Sequence, residues 1–332
     1  MSFNRLIADD FVVSADSITA GLWTDSNTAT ITTFYTSSTQ ANSTSGNYYL
    51  NVFSNASTSS LEFATTYGNE GGSGSLEYNS AVPGKSYSST IYGQYRSLVL
   101  GDENSSFVFG EISASDFWAI SVDRNRYKES LFPGSLTLVI SSSGGKLSLT
   151  DNSQAVTTVT YNDAGRVYQL VSGSAGSVYT GVNSNGYSAT SGSYGWFLPD
   201  IATIILNPLA TSASINLVPT RTPNTNGNNP WTLTKAIELG ASFTLNSQET
   251  ITSDYIFVRP RSSEFNYSEN PSFISGSTGE VLYSSFINNP TTYITTIGLY
   301  NDTNELLAVA KLSKPLQKDF TKEALVRVKL DF

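Results

Sequence analysis

Apolar and polar residues alternate over short runs along most of the chain. Ala29–Thr36 (ATITTFYT), Asn47–Ser54 (NYYLNVFS) and Ser59–Tyr67 (SSLEFATTY) carry β-branched and aromatic residues at an approximate period of two. Clusters of Ser, Thr, Asn and Gly separate them at the spacing of a sandwich or small barrel. Leu136–Ile140 and Lys146–Thr150 flank SSSGG and predict a hairpin. Val156–Tyr161 and Arg166–Val171, around Asn162–Gly165, predict a second. Thr291–Tyr300 and Glu305–Leu312, joined by Asn301–Asn304, predict the clearest one. Ile251–Phe273 begins as a strand and becomes an aromatic, Asn-rich extended segment, in which Phe265, Asn266 and Tyr267 stand out as interface candidates. The chain closes on an alternating strand, Ala324–Phe332. Val326, Val328, Leu330 and Phe332 share one face, and Arg327, Lys329 and Asp331 the other. That strand is expected to pair with Thr291–Tyr300, with Glu305–Leu312, or with a sheet edge on a neighbouring subunit.

Two helices are predicted. SYSSTIYGQYRSLVLG places Ile91, Tyr92, Tyr95, Leu98 and Val99 on one face, with Ser86 as N-cap and Gly101 as stop. Pro230–Gly240 has the Pro-first, Gly-last asymmetry of a second helix. Gly68–Ser75 and Ser172–Gly195 read as loops too poor in apolar residues to order without a partner. Ile201–Pro208 reads as a buried strand or short apolar segment, and Thr220–Pro230 as a linker. The expected fold is mainly β, with several sandwich-like or barrel-like modules and one or two short helices. Three modules are expected, over residues 1–82, 83–240 and 241–332.

Composition narrows the chemistry. The 332 residues include no Cys and no His, and the single Met is Met1. A disulfide framework, a thiolate nucleophile, a His-based metal site and a Ser-His-Asp triad are thereby excluded. Eighteen Lys and Arg against 27 Asp and Glu give a net charge of -9, unlike a chain that must neutralise nucleic-acid phosphates. No signal peptide and no membrane-spanning apolar run are read in the chain. Paired carboxylates remain as the only acid/base route, at Asp9-Asp10, Asp102-Glu103 and Asp302/Glu305, and each reads as a turn. NDTNE lacks the Gly and distal Glu of a calcium loop. Asp123–Ser130 gathers Arg124, Arg126 and Lys128 among acids, as a salt-bridged face or a clamp on an acidic partner. Lys311, Lys314, Lys318, Lys322, Arg327 and Lys329 make the tail basic, for edge protection or for docking on an acidic neighbour. No cofactor, metal or catalytic residue is expected.

Two blocks carry a resemblance. EFATTYGNEGGSGS followed by TIYGQYRSLVLGDENSSFVFG resembles a pattern in structural proteins of contractile-tailed phages, particularly those infecting marine cyanobacteria. SEFNYSENPSFISG and the stretch from PTTYITTIGLY to the final residue resemble the carboxy-terminal module of virion proteins in the same phages. The resemblance implies a non-enzymatic tail or baseplate component of the virion, assembled in the host cytoplasm with other virion proteins and copies of itself. It carries over no catalytic residues. One competing reading is a receptor-binding fibre or capsid decoration protein that contacts host glycans through Trp23, Tyr48, Tyr49 and Trp196. Another is a polysaccharide depolymerase.

Overall fold

The computed structural model describes residues 4–30, 33–36, 49–54, 60–70, 87–179, 190–220, 229–268 and 270–331. Strands β1 (Phe11–Gly21), β2 (Tyr35–Thr36), β3 (Leu50–Phe53) and β4 (Leu61–Asn69) precede helix α1 (Tyr87–Leu100). β5 (Phe107–Phe109), β6 (Ile112–Ala114), β7 (Asp116–Val122), β8 (Ser130–Leu131), β9 (Thr137–Ser142) and β10 (Gly145–Asp151) follow. Next come β11 (Thr160–Asn162), β12 (Gly165–Ser174), β13 (Ser177–Val178), β14 (Gly195–Leu198) and β15 (Thr203–Leu206), then α2 (Pro208–Ile215) and α3 (Asn229–Gly240). β16 (Ser242–Thr244), β17 (Asn246–Val258), α4 (Ser284–Asn288), β18 (Thr291–Tyr300), β19 (Leu306–Asp319) and β20 (Val326–Asp331) complete the order. The fold is mainly β, as the alternation predicts.

The chain forms two compact units, Ser17–Glu249 and Met1–Asp16 with Thr250–Phe332. They do not follow the three consecutive modules expected. α1 packs its apolar face on the sheet that contains β4, so residues on both sides of the 82/83 boundary share cores. Ile237 and Phe243 likewise lie in one core across 240/241.

The larger unit is built on a 12-stranded sheet, ordered β16-β9-β10-β12-β14-β15-β7-β4-β3-β2, with β11 and β13 paired to β12. β7 (DFWAISV) is buried on both faces, so its apolar run is nearly continuous. Period two sends Trp118, Ile120 and Val122 into a core shared with Leu138, Phe197 and Ile204, which α2 and α3 cover through Ile215, Leu233 and Ile237. Phe117 and Ala119 point the other way, into a core with Trp196, Ile205 and the α1 residues Ile91, Tyr92, Tyr95 and Val99. The expected α1 stripe is therefore real except at Leu98, which is 53% exposed. Gly101, at φ +64°, ends the helix; the expected N-cap Ser86 lies outside the described residues.

Several local expectations change. Gly68 and Asn69 belong to β4 and pair with Phe117 and Asp116, while 71–75 lie outside the described residues. Gly68 extends the strand because its missing side chain leaves room for the Phe117 ring, 2.6 Å from where a Cβ would sit. Ser172 pairs with Leu149, Gly173 pairs with Val178, and Tyr194 is buried, so the ends of the expected excursion 172–195 are core structure; 180–189 lie outside the described residues. Among the described residues of Ala29–Thr36, pairing is limited to the Ala29–Thr244 bridge and β2. The apolar segment at 201–208 is β15 leading directly into α2, a helix the periodicity does not announce. Asn207 caps it by accepting from the Leu209 amide at 3.0 Å, with Pro208 in the first turn. α3 forms as expected. Its first residue, Asn229, exchanges two 2.9 Å hydrogen bonds with Thr220 across the expected linker, whose residues 221–228 lie outside the description.

In the smaller unit β17 lies between β1 and β20. β20 pairs antiparallel with β17, from Ser253↔Asp331 to Val258↔Val326, rather than with either strand of the β18–β19 hairpin. The hairpin itself pairs as predicted and extends to Thr291↔Asp319. Its inner face packs against the sheet through a small core of Ile256, Leu299 and Val328, with Leu6, Ile297 and Ala310 at its margin.

Candidate functional site

The smaller unit buries few apolar side chains and exposes many. Three buried residues form its core, whereas most exposed large hydrophobics among the described residues lie in this unit. Neither Lys nor Pro guards β1, an edge strand with no buried residue whose one charge is Asp16. Within it, Phe11, Val12 and Val13 are exposed, Val13 to 67%. Near its turn the hairpin also exposes apolar side chains, Tyr300, Leu306, Leu307 and Val309, while Lys311, Lys314 and Gln317 are exposed farther along. Leu307 is 68% exposed, Val309 follows it two residues on, and Tyr293 is exposed at the other end of the hairpin, opposite Gln317. Gly298 has no side chain, and Tyr300 and Leu306 close over its place, 2.9 Å and 3.3 Å from where a Cβ would sit. A two-stranded hairpin on so thin a core is marginal in water, and an apolar outer face is the surface a neighbour would cover.

The expected interface residues divide. Asn266 is 1% exposed and donates to the Ser262 carbonyl at 2.7 Å. Phe265, at φ +54°, offers its carbonyl to the Thr292 hydroxyl at 2.6 Å. Tyr267 alone of the three is presented, 60% exposed. Val328 is core, Val326 and Leu330 are half-buried, and Arg327 and Lys329 point outward, as period two requires. Phe332 lies outside the described residues.

The basic tail is not the free cationic strip the sequence presents. Lys318 is fully buried and donates to the Ser262 carbonyl (2.9 Å), the Asn266 amide oxygen (2.7 Å) and the Asp319 carbonyl (3.0 Å). Lys322 pairs with Asp319 at 3.4 Å and Lys329 with Asp331 at 2.8 Å. That hydrogen bond raises the Lys329 ammonium and lowers the Asp331 carboxyl from their ordinary ranges. Arg327 and Lys329 lie over the Tyr255 ring, 5.4 Å and 5.9 Å from its centroid.

One member of each carboxylate pair is engaged within its own turn. Asp10 accepts from the Ile7 amide, and Glu305 from Asn301 and Thr303 in the hairpin turn. Hydrogen bonds from Ser105 and Asn104 hold Asp102 below the usual carboxylate range. In Asp123–Ser130, Arg126 reaches the buried Glu62 at 3.4 Å and Lys128 pairs with Glu249 at 2.8 Å, the salt-bridged reading of that segment. Three buried acids are missed from sequence, Glu62, Asp116 and Asp151, of which Asp151 is fully buried. Burial pushes the Asp151 carboxyl up, while the Gly134 and Ser153 amides donate to it. Its only sequence signal is the Asp-Asn-Ser turn that follows β10.

Trp23 and Trp196, expected on a sugar-stacking surface, are instead buried in the two opposite cores of the larger unit. Tyr48 lies outside the described residues, and Tyr49 remains half-buried. Among the described residues no cluster of three acidic side chains is placed to hold a metal ion, and no helix is long and apolar enough to cross a membrane. Comparison with family models, curated proteins and solved structures finds no match to this chain.

Proposed function

We propose that the chain is a non-enzymatic structural subunit of a phage virion, a tail or baseplate component that assembles through its smaller unit. The observation that carries the assembly reading is the exposed apolar strand surface of β1 and the β18–β19 hairpin over a three-residue core. A neighbour that adds a strand to the β1 edge, or covers Leu307 and Val309, supplies the burial this unit lacks. The sequence blocks that resemble tail structural proteins support the virion as the place of assembly. Burying roughly 800 Å² per partner is the scale a stable contact needs.

The test is cross-linking mass spectrometry on purified tailed-phage particles from the source of the sequence. Lys311, Lys314 and Lys322 lie on the stretch concerned and give suitable reactive amines. The expected result is the chain in several copies per particle, with intersubunit cross-links at these lysines. A chain recovered only as a free monomer, absent from particles, overturns the reading.

A further inference from the structure

The sheet of the smaller unit has two open edges. β17 lies in the middle, and among the described residues β1 and β20 each pair with β17 alone. Each outer strand therefore turns a row of backbone N–H and C=O groups outward, the template on which another strand adds. The two edges run in the same direction. β20 is antiparallel to β17. So is β1, because Ser247 Oγ donates to the Ala20 carbonyl at one end (3.2 Å) and the Asn4 amide to the Arg259 carbonyl beyond the other (3.4 Å).

The edges differ in charge. The single charge of β1 is Asp16, which is exposed and makes no hydrogen bond or close ion pair among the described residues. β20 turns Arg327 and Lys329 outward. Arg327 lies over the Tyr255 ring and has no carboxylate partner among the described residues. The Asp331 hydrogen bond is the main cause that raises the Lys329 ammonium, and the Asp16 charge adds to it from the far side of Tyr255. Asp16, Tyr255 and Lys329 thus form one row across the sheet, with an acid at one edge and a base at the other.

A second copy continues that row. With its β20 laid parallel along β1, its Lys329 and Arg327 arrive beside Asp16, which gains the cation it lacks. Pairing like with like is worse. Asp16 is the central residue of Phe11–Gly21, so two β1 strands paired antiparallel about their midpoints set Asp16 against Asp16. Two β20 edges crowd Arg327 and Lys329 against their own copies. We infer that β1 of one copy pairs with β20 of the next, a head-to-tail contact in which Asp16 meets Lys329 and Arg327. Each copy then offers its other edge to a further copy, so addition builds a ring or a row rather than a closed pair. The inference rests on the assembly reading of the smaller unit and names the partner that covers its β1 edge.

The chain has no Cys, so a variant with one Cys carries a single thiol. Val12 and Leu325, exposed to 49% and 64%, precede Asp16 and Lys329 by the same number of residues and meet in the parallel register. Full-length Val12→Cys and Leu325→Cys chains are mixed in equal amounts and treated with a short bismaleimide. The expected result is covalent dimer in the mixture and none from either chain alone. Asp16→Lys in the Val12→Cys chain should cut the yield about tenfold, as should Arg327→Glu with Lys329→Glu in the Leu325→Cys chain. Both changes together should restore it. All positions changed for charge are exposed, and unchanged thermal unfolding checks each chain. Dimer from Val12→Cys alone means that β1 pairs with β1, and overturns the inference. So does a mixture without dimer, or a yield that charge reversal leaves intact. A chain present in particles without the mixed cross-link overturns this contact and leaves the assembly reading standing. The mixed cross-link in a chain absent from particles supports the contact and overturns the virion reading instead.

Discussion

Lys318 brings a charge into the smaller unit and surrounds it with three oxygens, two of them from the 262–266 segment. Removing the ammonium leaves the buried Asn266 amide oxygen without its donor, at about 1–3 kcal/mol, whereas the Ser262 carbonyl keeps its bond from Asn266 and the Asp319 carbonyl its bond from the Lys322 amide. Lys318→Met is expected to destabilise the unit by about 1–3 kcal/mol, with hydrogen exchange showing lost protection around residue 266. Lys322→Ala removes only a surface pair and should stay within about 0.5 kcal/mol in urea denaturation. At Gly68 the opposite problem holds. The Phe117 ring that a new Cβ would meet is fixed by Tyr92, Tyr95 and Phe107. Gly68→Ala should cost about 1–3 kcal/mol through overpacking. Two acids should leave opposite pH signatures. Burial raises Asp200, but the Arg166 hydrogen bonds and charge outweigh it and leave the carboxyl below its ordinary value. Its contribution is present above the ordinary carboxylate pKa and is lost as pH falls through that value and the lowered one. Asp151 is raised, so its contribution is full below the ordinary value and weakens as pH rises through the raised one. Stability against pH should therefore lose part of its acid slope in Asp200→Asn. Asp151→Asn, which keeps one acceptor oxygen, should gain stability near neutral pH; a loss there would contradict the assignment.

At the level of elements, β20 shows how far alternation reaches. Period two assigns the faces of Val326 to Asp331 correctly, because a strand's faces are set by its own pleat. It does not identify the partner, since pairing depends on which edge is free. That edge is β17, placed 68 residues earlier by its last residue, Val258, counted to Val326. Deleting residues 326–332 should strip protection from Ser253–Val258 in hydrogen exchange while leaving β7 unaffected. Equal protection in both forms would mean that β20 contributes nothing to the sheet. The two helix readings differ for a related reason. α1 announces itself by a long apolar period, and α3 by its Pro-first, Gly-last ends. α2 has only eight residues, and its signal is the Asn-Pro cap rather than a stripe.

For the whole molecule, the contrast between units governs stability and assembly. The larger unit buries both faces of its sheet, whereas the smaller has a three-residue apolar core. The smaller unit is therefore expected to unfold first, at lower urea, in hydrogen exchange followed across the chain. Val13→Lys with Leu307→Lys should weaken association with neighbours and leave both unfolding transitions in place, since neither side chain is buried.

Local chemistry was legible in the residues: the β class, the hairpins at 137–151 and 291–312, the α1 face and the ends of α3, and the absence of imidazole and thiol. These depend on periods of two and 3.6 residues and on side-chain type, which a chain carries without folding. The tertiary structure alone decided the burial of Lys318 and Asn266, the withdrawal of Trp23 and Trp196 into opposite cores, and the exposure of Leu98. It also placed Ala64, Ser121 and Thr203 in one row. Each of these depends on which distant strand lies alongside, and register between distant strands is a property of the packed sheet rather than of any segment in it.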